Sequence, residues 1–136
     1  MKQKPPVKAV SVALFVDGVF LLVLRARQPA MGLYAFPGGR VEAGESATTA
    51  AIREIREETG LVISAPTLFD RLVLPGDEAD FELSVFLARA ASGTLQAGDD
   101  AAEAAWFALA DMESLPITES TLIIARRIAA GEREST

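Results

Sequence analysis

The sequence contains no cysteine, which excludes disulfides and cysteine-ligated zinc and makes a cytoplasmic location the default expectation. It also lacks any apolar run approaching the eighteen or so residues of a membrane span. The nearest approach is N-terminal, where Lys2, Lys4 and Lys8 precede an apolar run that loosely mimics a signal peptide. That run includes Ser11 and leads into Asp17-Gly18 rather than a small-residue cleavage site, so a strand is expected there. Positive charge is in deficit: 13 Lys and Arg against 19 Asp and Glu leave a net charge of −6. An acidic chain without a basic patch is disfavoured as a partner of nucleic-acid backbones. It also repels free polyphosphate, unless that arrives with metal or meets local cations. No internal repeat or low-complexity linker breaks the chain.

What remains suits one folded unit spanning residues 1–136. Half the residues are hydrophobic and 24% are charged, which argues against disorder, and the length can bury a real core. Residues 10–16 and 19–24 read as strands flanking Asp17-Gly18, a two-residue hairpin signal. Residues 34–36 form a short strand feeding the turn Pro37-Gly38-Gly39. Residues 68–74 and 81–90 are strand-like around Pro75-Gly76-Asp77, and residues 104–107 make another strand. Residues 119–130 read as a helix closed by Gly131, and the five polar residues after it are expected to fray. This order predicts an α/β protein with a mixed sheet packed between helices.

The densest pattern is GRVEAGESATTAAIREIREETGL at residues 39–61. Gly39, Glu45, Arg53, Glu54, Glu57, Glu58 and Gly60 stand at fixed spacings, with Ile55 and Leu61 at aliphatic slots. Seven fixed types, each with a background frequency of roughly one in fifteen, match by chance on the order of 10⁻⁸ to 10⁻⁹ per starting position. Residues 46–59 contain no Pro or Gly and many helix formers. Ser46 is a candidate N-cap without a capping box, since Thr49 stands where Glu would. Gly60 falls where a left-handed C-terminal cap belongs. Glu54, Glu57 and Glu58 are related by i, i+3 and i+4, so three carboxylates share one face and repel one another. Arg53, four residues before Glu57, neutralises only part of that charge. Clustered carboxylate oxygens suit a hard cation, and Mg²⁺ prefers a few carboxylates plus substrate phosphate. Ile52 and Ile55 are expected to pack on the sheet. Ala47, Ala50 and Ala51 extend the carboxylate side toward the N-terminus, where the segment Phe36-Pro37-Gly38-Gly39 is the candidate to approach closely.

This spacing resembles the Nudix box, G-x5-E-x7-R-E-U-x-E-E-x-G-U with U aliphatic, with every position filled. The resemblance implies a Nudix-type α/β/α sandwich and a metal-dependent pyrophosphohydrolase acting on a nucleoside diphosphate linked to another group. It implies Mg²⁺, with Mn²⁺ as a substitute, held by Glu54, Glu57, Glu58 and the Gly39 carbonyl. It further implies that Arg53 orients the glutamates and that Glu45 helps to hold that arrangement, with Gly60 supporting the box. The missing cysteines argue against the longer family members with a zinc-binding module. The resemblance also suggests a homodimer and a nucleotide substrate, while the acidic balance and the lack of a long apolar run leave neither nucleic acid nor membrane as an expected partner.

Outside the box several readings stay open. Arg25 and Arg27 face one way on a strand and either hold phosphate oxygens or serve as edge-strand cations. In the segment running from Asp99-Asp100 to Trp106, Glu103 or Asp100 reaches the metals or serves as general base, or else belongs to an ordinary acidic turn. Glu57 and Glu103 are the candidates for general base. Trp106, Tyr34 and Phe36 read as core ahead of base-stacking, with Phe36 and Gly38 as candidates for substrate contact. Glu78, Asp80 and Glu82 read as a solvated hairpin edge, with a dimer or substrate role as the lesser reading. ADP-ribose or a nucleoside diphosphate sugar leads as substrate. Oxidised nucleoside triphosphates, then dinucleoside polyphosphates, follow, and the rival class is a nucleotide-sensing module without turnover.

Overall fold

The computed structural model of the chain describes residues 4–132; Lys2 and the expected fraying of residues 133–136 lie outside it. The chain runs β1 (Val7–Val16), β2 (Val19–Arg25), β3 (Tyr34–Ala35), β4 (Gly38–Arg40), α1 (Ala47–Thr59), β5 (Leu61–Ile63), β6 (Thr67–Leu74), β7 (Phe81–Ala88), β8 (Ala91–Gly93), β9 (Ala101–Ala108), α2 (Leu109–Met112) and α3 (Glu119–Ala129).

The first hairpin closes because Asp17 and Gly18 both take positive φ, 51° and 81°, as a type I′ turn requires. Val16 then pairs with Val19. β1 is longer than one partner needs, so its two halves serve different neighbours. Its first half pairs antiparallel with β4, and its last residues pair with β2. Along most of its length it also runs parallel to β7, from Val7 opposite Phe81 to Leu14 opposite Ala88. The main sheet follows the order β3-β2-β1-β7-β6, with β4 added to β1 and β9 to β2. One parallel pair among antiparallel ones makes it mixed. β5 and β8 form a separate two-stranded sheet.

Alternation along the strands sorts the core into two layers. Val10, Val12, Leu14, Leu21, Phe86 and Ala88 face α1, meeting Ala50, Ala51 and Ile55. Ala13, Phe20, Leu22, Phe69, Val85 and Leu87 face the opposite way, toward Met112 of α2 and Ile124, Ala125 and Ile128 of α3. The result is the expected α/β/α sandwich. Arg127 of α3 clasps the sheet edge, donating to Asp70 at 2.7 Å and lying 4.9 Å over the Phe69 ring. It also binds Glu132, so that residue is tied back where fraying was expected. No helix among the described residues is long and apolar enough to cross a membrane.

Several elements are absent from the sequence reading: β4, the β5–β8 pair and α2 are too short to show a period. The strand expected over 81–90 ends at Ala88. Between β5 and β6, Ala65 is exposed with φ at 50°, a conformation that costs an L-residue roughly 1 kcal/mol or more. Ala65→Gly relieves that strain but adds entropy to the unfolded chain. A net gain of about 0.5 kcal/mol is expected in urea denaturation; a loss would show that the methyl group packs usefully.

Candidate active site

Helix α1 begins at Ser46, whose hydroxyl accepts from the Thr49 N–H at 3.1 Å. It ends at Gly60, with φ at 76° and its N–H on the Arg56 carbonyl at 2.8 Å. The segment 96–101 covers that end. Gln96 N–H donates to the Thr59 carbonyl at 2.8 Å and Gly98 N–H to the Glu58 carbonyl at 3.0 Å. A Cβ on Gly98 would come within 2.8 Å of the Glu57 carbonyl. The same segment is anchored to β2, because Ala26 N–H donates to the Asp100 carbonyl at 2.9 Å.

The carboxylate side of α1 proves to be continuous with its buried side. Glu58 is only 3% exposed, because it lies one turn beyond Glu54 and two beyond Ala51 on the stripe that meets the sheet. β4 passes directly over this stripe. Gly38 N–H donates to Glu58 Oε1 at 2.8 Å. Glu54 rests against Gly39 so closely that any Cβ there would collide with its carboxylate. The paired glycines are thus required by close approach rather than by turn geometry.

Arg53 organises the solvent side. Its Nε and Nη2 donate to both oxygens of Glu45, at 2.7 and 2.9 Å. Its Nη1 donates to Glu57 Oε1 at 2.7 Å and its Nη2 also to the Arg40 carbonyl at 3.0 Å. Glu54 Oε2 lies 3.4 Å from Nη1. These bonds hold the Glu45 carboxyl down at about 2, helped by the Glu42 N–H. Glu42 went unnoticed in the sequence; the turn residue Gly44 beside it was the available signal.

Glu54 and Glu58 feel the opposite pressure. Burial raises both, and raises Glu58 to about 8 despite the Gly38 N–H and the Arg25 charge. The charge of Asp100 acts on both glutamates. Among the described residues no three acidic or other ligating side chains converge on one point. The reason is visible: Arg53 occupies Glu57, and the Gly38 N–H occupies Glu58. The donors are nevertheless carboxylate oxygens, with Glu58 buried and Glu54 largely so, and oxygen donors of this kind fit a hard divalent cation. Linkage gives a direct check. The pKa of Glu58 is raised on folding, so in metal-free protein its contribution to stability is full below about 4.5 and is lost as pH rises through about 8. The melting temperature without metal should therefore fall across that window. A divalent cation should restore it at the upper end, and Glu58→Gln should flatten the profile.

The outer residues fare differently. Phe36 is 4% exposed and packs at 5.9 Å from Phe20, so its ring belongs to the core. Trp106 was expected in the core but is 38% exposed, because β9 is an edge strand and the ring borders an open groove beside Val16, Leu61 and Leu95. Glu103 lies opposite Leu24 in β9, on the α3 side of the sheet, and accepts from the Tyr34 hydroxyl at 3.3 Å. Residues opposite one another share a face, so Glu103 points away from the box while Arg25, one residue on from Leu24, points toward it. Glu103 therefore drops out as a base, and Asp100 is the member of its segment near the glutamates. The edge-strand reading of Arg25 fails because β2 is internal. Arg25 Nε donates to the Pro29 carbonyl at 2.6 Å, and Arg27 pairs with Asp100 at 2.9 Å.

A mixed-sheet sandwich carrying a helix of glutamates against a paired-glycine strand defines a class of pyrophosphohydrolases. The NUDIX domain profile matches residues 5–127. Over 120 residues the chain is 38% identical to an ADP-ribose pyrophosphatase of Methanocaldococcus jannaschii, covering 87% of this chain and 71% of that one. The crystal structure of a MutT NUDIX hydrolase from Burkholderia pseudomallei superposes with a TM-score of 0.84 at 30% identity, covering 93% of this chain and 99% of that chain. The NUDIX domain of Shewanella oneidensis NrtR, solved with ADP ribose, shares the fold with a TM-score of 0.83 at 21% identity, over 94% of this chain and 89% of that one. The chain belongs to the Nudix family and is a Nudix pyrophosphohydrolase.

Proposed function

We propose that the protein hydrolyses the diphosphate linkage of ADP-ribose, by attack of water at phosphorus, to AMP and ribose 5-phosphate. The observation that carries this reading is the 38% identity with an ADP-ribose pyrophosphatase over 87% of the chain. Glu54, Glu57 and Glu58, with the Gly39 carbonyl, would hold Mg²⁺, or Mn²⁺ in its place. Such an ion supplies charge neutralisation at the diphosphate and a lowered pKa for water. Glu57 is the proposed general base: among the box glutamates it faces solvent most, and only Arg53 holds it. Arg53 is a positioning residue, holding Glu57 between the anchor at Glu45 and the Arg40 carbonyl. Arg25 and Arg27 are the proposed phosphate contacts, with Gly38 as a proposed substrate contact beside Glu58. The lack of cysteine supports a cytoplasmic setting, and a homodimer is the proposed assembly.

Incubation with Mg²⁺ and a panel of ADP-ribose, nucleotide sugars, 8-oxo-dGTP and diadenosine polyphosphates tests this. AMP plus ribose 5-phosphate from ADP-ribose supports the reading, and pyrophosphate release from the triphosphate alone overturns it in favour of nucleotide sanitation. Metal binding without turnover of any compound favours a sensing module.

A further inference from the structure

Two arginines stand at and just beyond the end of β2, and their surroundings differ. Arg25 is fixed: its Nε donates to the Pro29 carbonyl at 2.6 Å. Its backbone also holds the loop that follows, accepting from the Gly32 N–H and donating to the Leu33 carbonyl, each at 2.9 Å. Arg27 has no such anchor. Its one side-chain partner among the described residues is the Asp100 carboxylate, with Nε 2.9 Å from Oδ1. Both side chains are open to solvent, Arg27 at 75% and Asp100 at 49%. Exposed pairs of this kind are weak and readily exchanged.

The backbone behind the pair is held on both sides. Ala26 N–H donates to the Asp100 carbonyl at 2.9 Å, and Gly98 N–H to the Glu58 carbonyl at 3.0 Å. Ala101 N–H closes the turn on the Gly98 carbonyl at 3.0 Å, with Asp99 in the left-handed region at a φ of 51°. Asp100 is thereby kept near the glutamates, and its charge acts on both Glu54 and Glu58. The two side chains can part while the backbone stays in place.

We infer that Arg27 and Asp100 form a latch that couples binding of the substrate diphosphate to binding of the divalent cation. In the closed pair each charge cancels the other. A diphosphate offers Arg27 a better matched partner than one exposed carboxylate, since a guanidinium takes phosphate oxygens in pairs. Once Arg27 has turned to phosphate, the charge of Asp100 stands uncompensated beside Glu54 and Glu58, where it strengthens their hold on a cation. The coupling is reciprocal, so Asp100 drawn toward a cation at the glutamates releases Arg27 for phosphate. Without a cation, opening the pair leaves Asp100 facing the diphosphate with like charge, and the latch stays shut. A chain of net charge −6 thus admits polyphosphate together with metal and resists it alone.

The latch rests on Arg27 as a phosphate contact, as proposed above, and holds whichever nucleotide is cleaved. Calorimetric titration of Mn²⁺ with and without saturating methylenediphosphonate tests it, with the ion's own affinity for that compound allowed for. The compound is a diphosphate mimic that resists hydrolysis and carries no nucleoside. It should tighten Mn²⁺ binding to wild type at least about tenfold. Arg27→Gln and Asp100→Asn should each cut this coupling at least about threefold, and the double variant should fall no further, since either change breaks the same pair. Direct contact between ion and mimic is common to all four chains. Arg27→Lys should keep the coupling within about twofold, because the pair uses one nitrogen rather than a bidentate fork. A wild-type chain without coupling overturns both the phosphate reading of Arg27 and the latch. Single variants that retain the wild-type coupling, or a double variant whose losses add, overturn the latch alone. The ADP-ribose reading is decided separately, by the products from the substrate panel.

Discussion

Glu57→Gln is expected to reduce turnover at least about a hundredfold while leaving the melting temperature nearly unchanged. The physical basis lies in how little Glu57 does for the fold. Its carboxylate is about one-third exposed and accepts one bond, from Arg53 Nη1 at 2.7 Å. A glutamine is isosteric, and its carbonyl oxygen can keep accepting that bond. What is lost is a proton acceptor and a negative charge, which matter to the reaction and not to packing. Steady-state kinetics with the cleaved substrate, alongside thermal melts, separates the two. A fully active variant would remove Glu57 from the chemistry and shift attention to Asp100, whose charge also acts on Glu54 and Glu58.

Arg53→Met should damage both stability and activity. The guanidinium makes a bidentate contact with Glu45, a bond to Glu57 and one to the Arg40 carbonyl. Its loss leaves the mostly buried Glu45 carboxylate without its cation. Charge-assisted bonds of this kind suggest a stability loss of about 2 kcal/mol. Turnover should fall at least about thirtyfold, since Glu57 loses its only orienting partner. Arg53→Lys should recover little of either, because an ammonium cannot address Glu45 in bidentate fashion while also reaching Glu57 and a carbonyl. The pH dependence of the urea midpoint adds a readout of the pair itself. Glu45 has its pKa lowered on folding, so its contribution is present above about 4.5 and fades as pH falls toward about 2. The difference between wild type and Arg53→Met should shrink in that range. An unchanged difference down to pH 2 would mean that Glu45 is not what Arg53 stabilises.

The box was legible because its chemistry is local. Three glutamates on one helix face, a capping serine and a left-handed glycine all lie on or next to one helix of 13 residues, so spacing alone carries the information. The first hairpin was legible for the same reason, since Asp17-Gly18 dictates its own turn. Trp106 was misjudged because nothing in the sequence says that β9 is an edge strand bordered by an open groove. Phe36 was a candidate for substrate contact only because it adjoins the paired glycines in sequence, and its ring lies in the core layer facing α3, as its favoured reading had it. Glu103 failed for a matter of parity: one step along β9 exchanges the two faces of the sheet, and the bulge beside Arg25 hides that count from the sequence.

The sequence by itself determined the helix that carries the carboxylates, the glycines that let a strand approach it, and the kind of bond such a site hydrolyses. Only the tertiary structure decided which outer residues share that site. Asp100 and Arg25 reach Glu58 because segment 96–101 is pinned to the end of α1 and to β2. Those contacts join residues more than thirty positions apart. Spacing along a chain encodes one helix turn well, but it carries no record of which face of a sheet a distant strand presents.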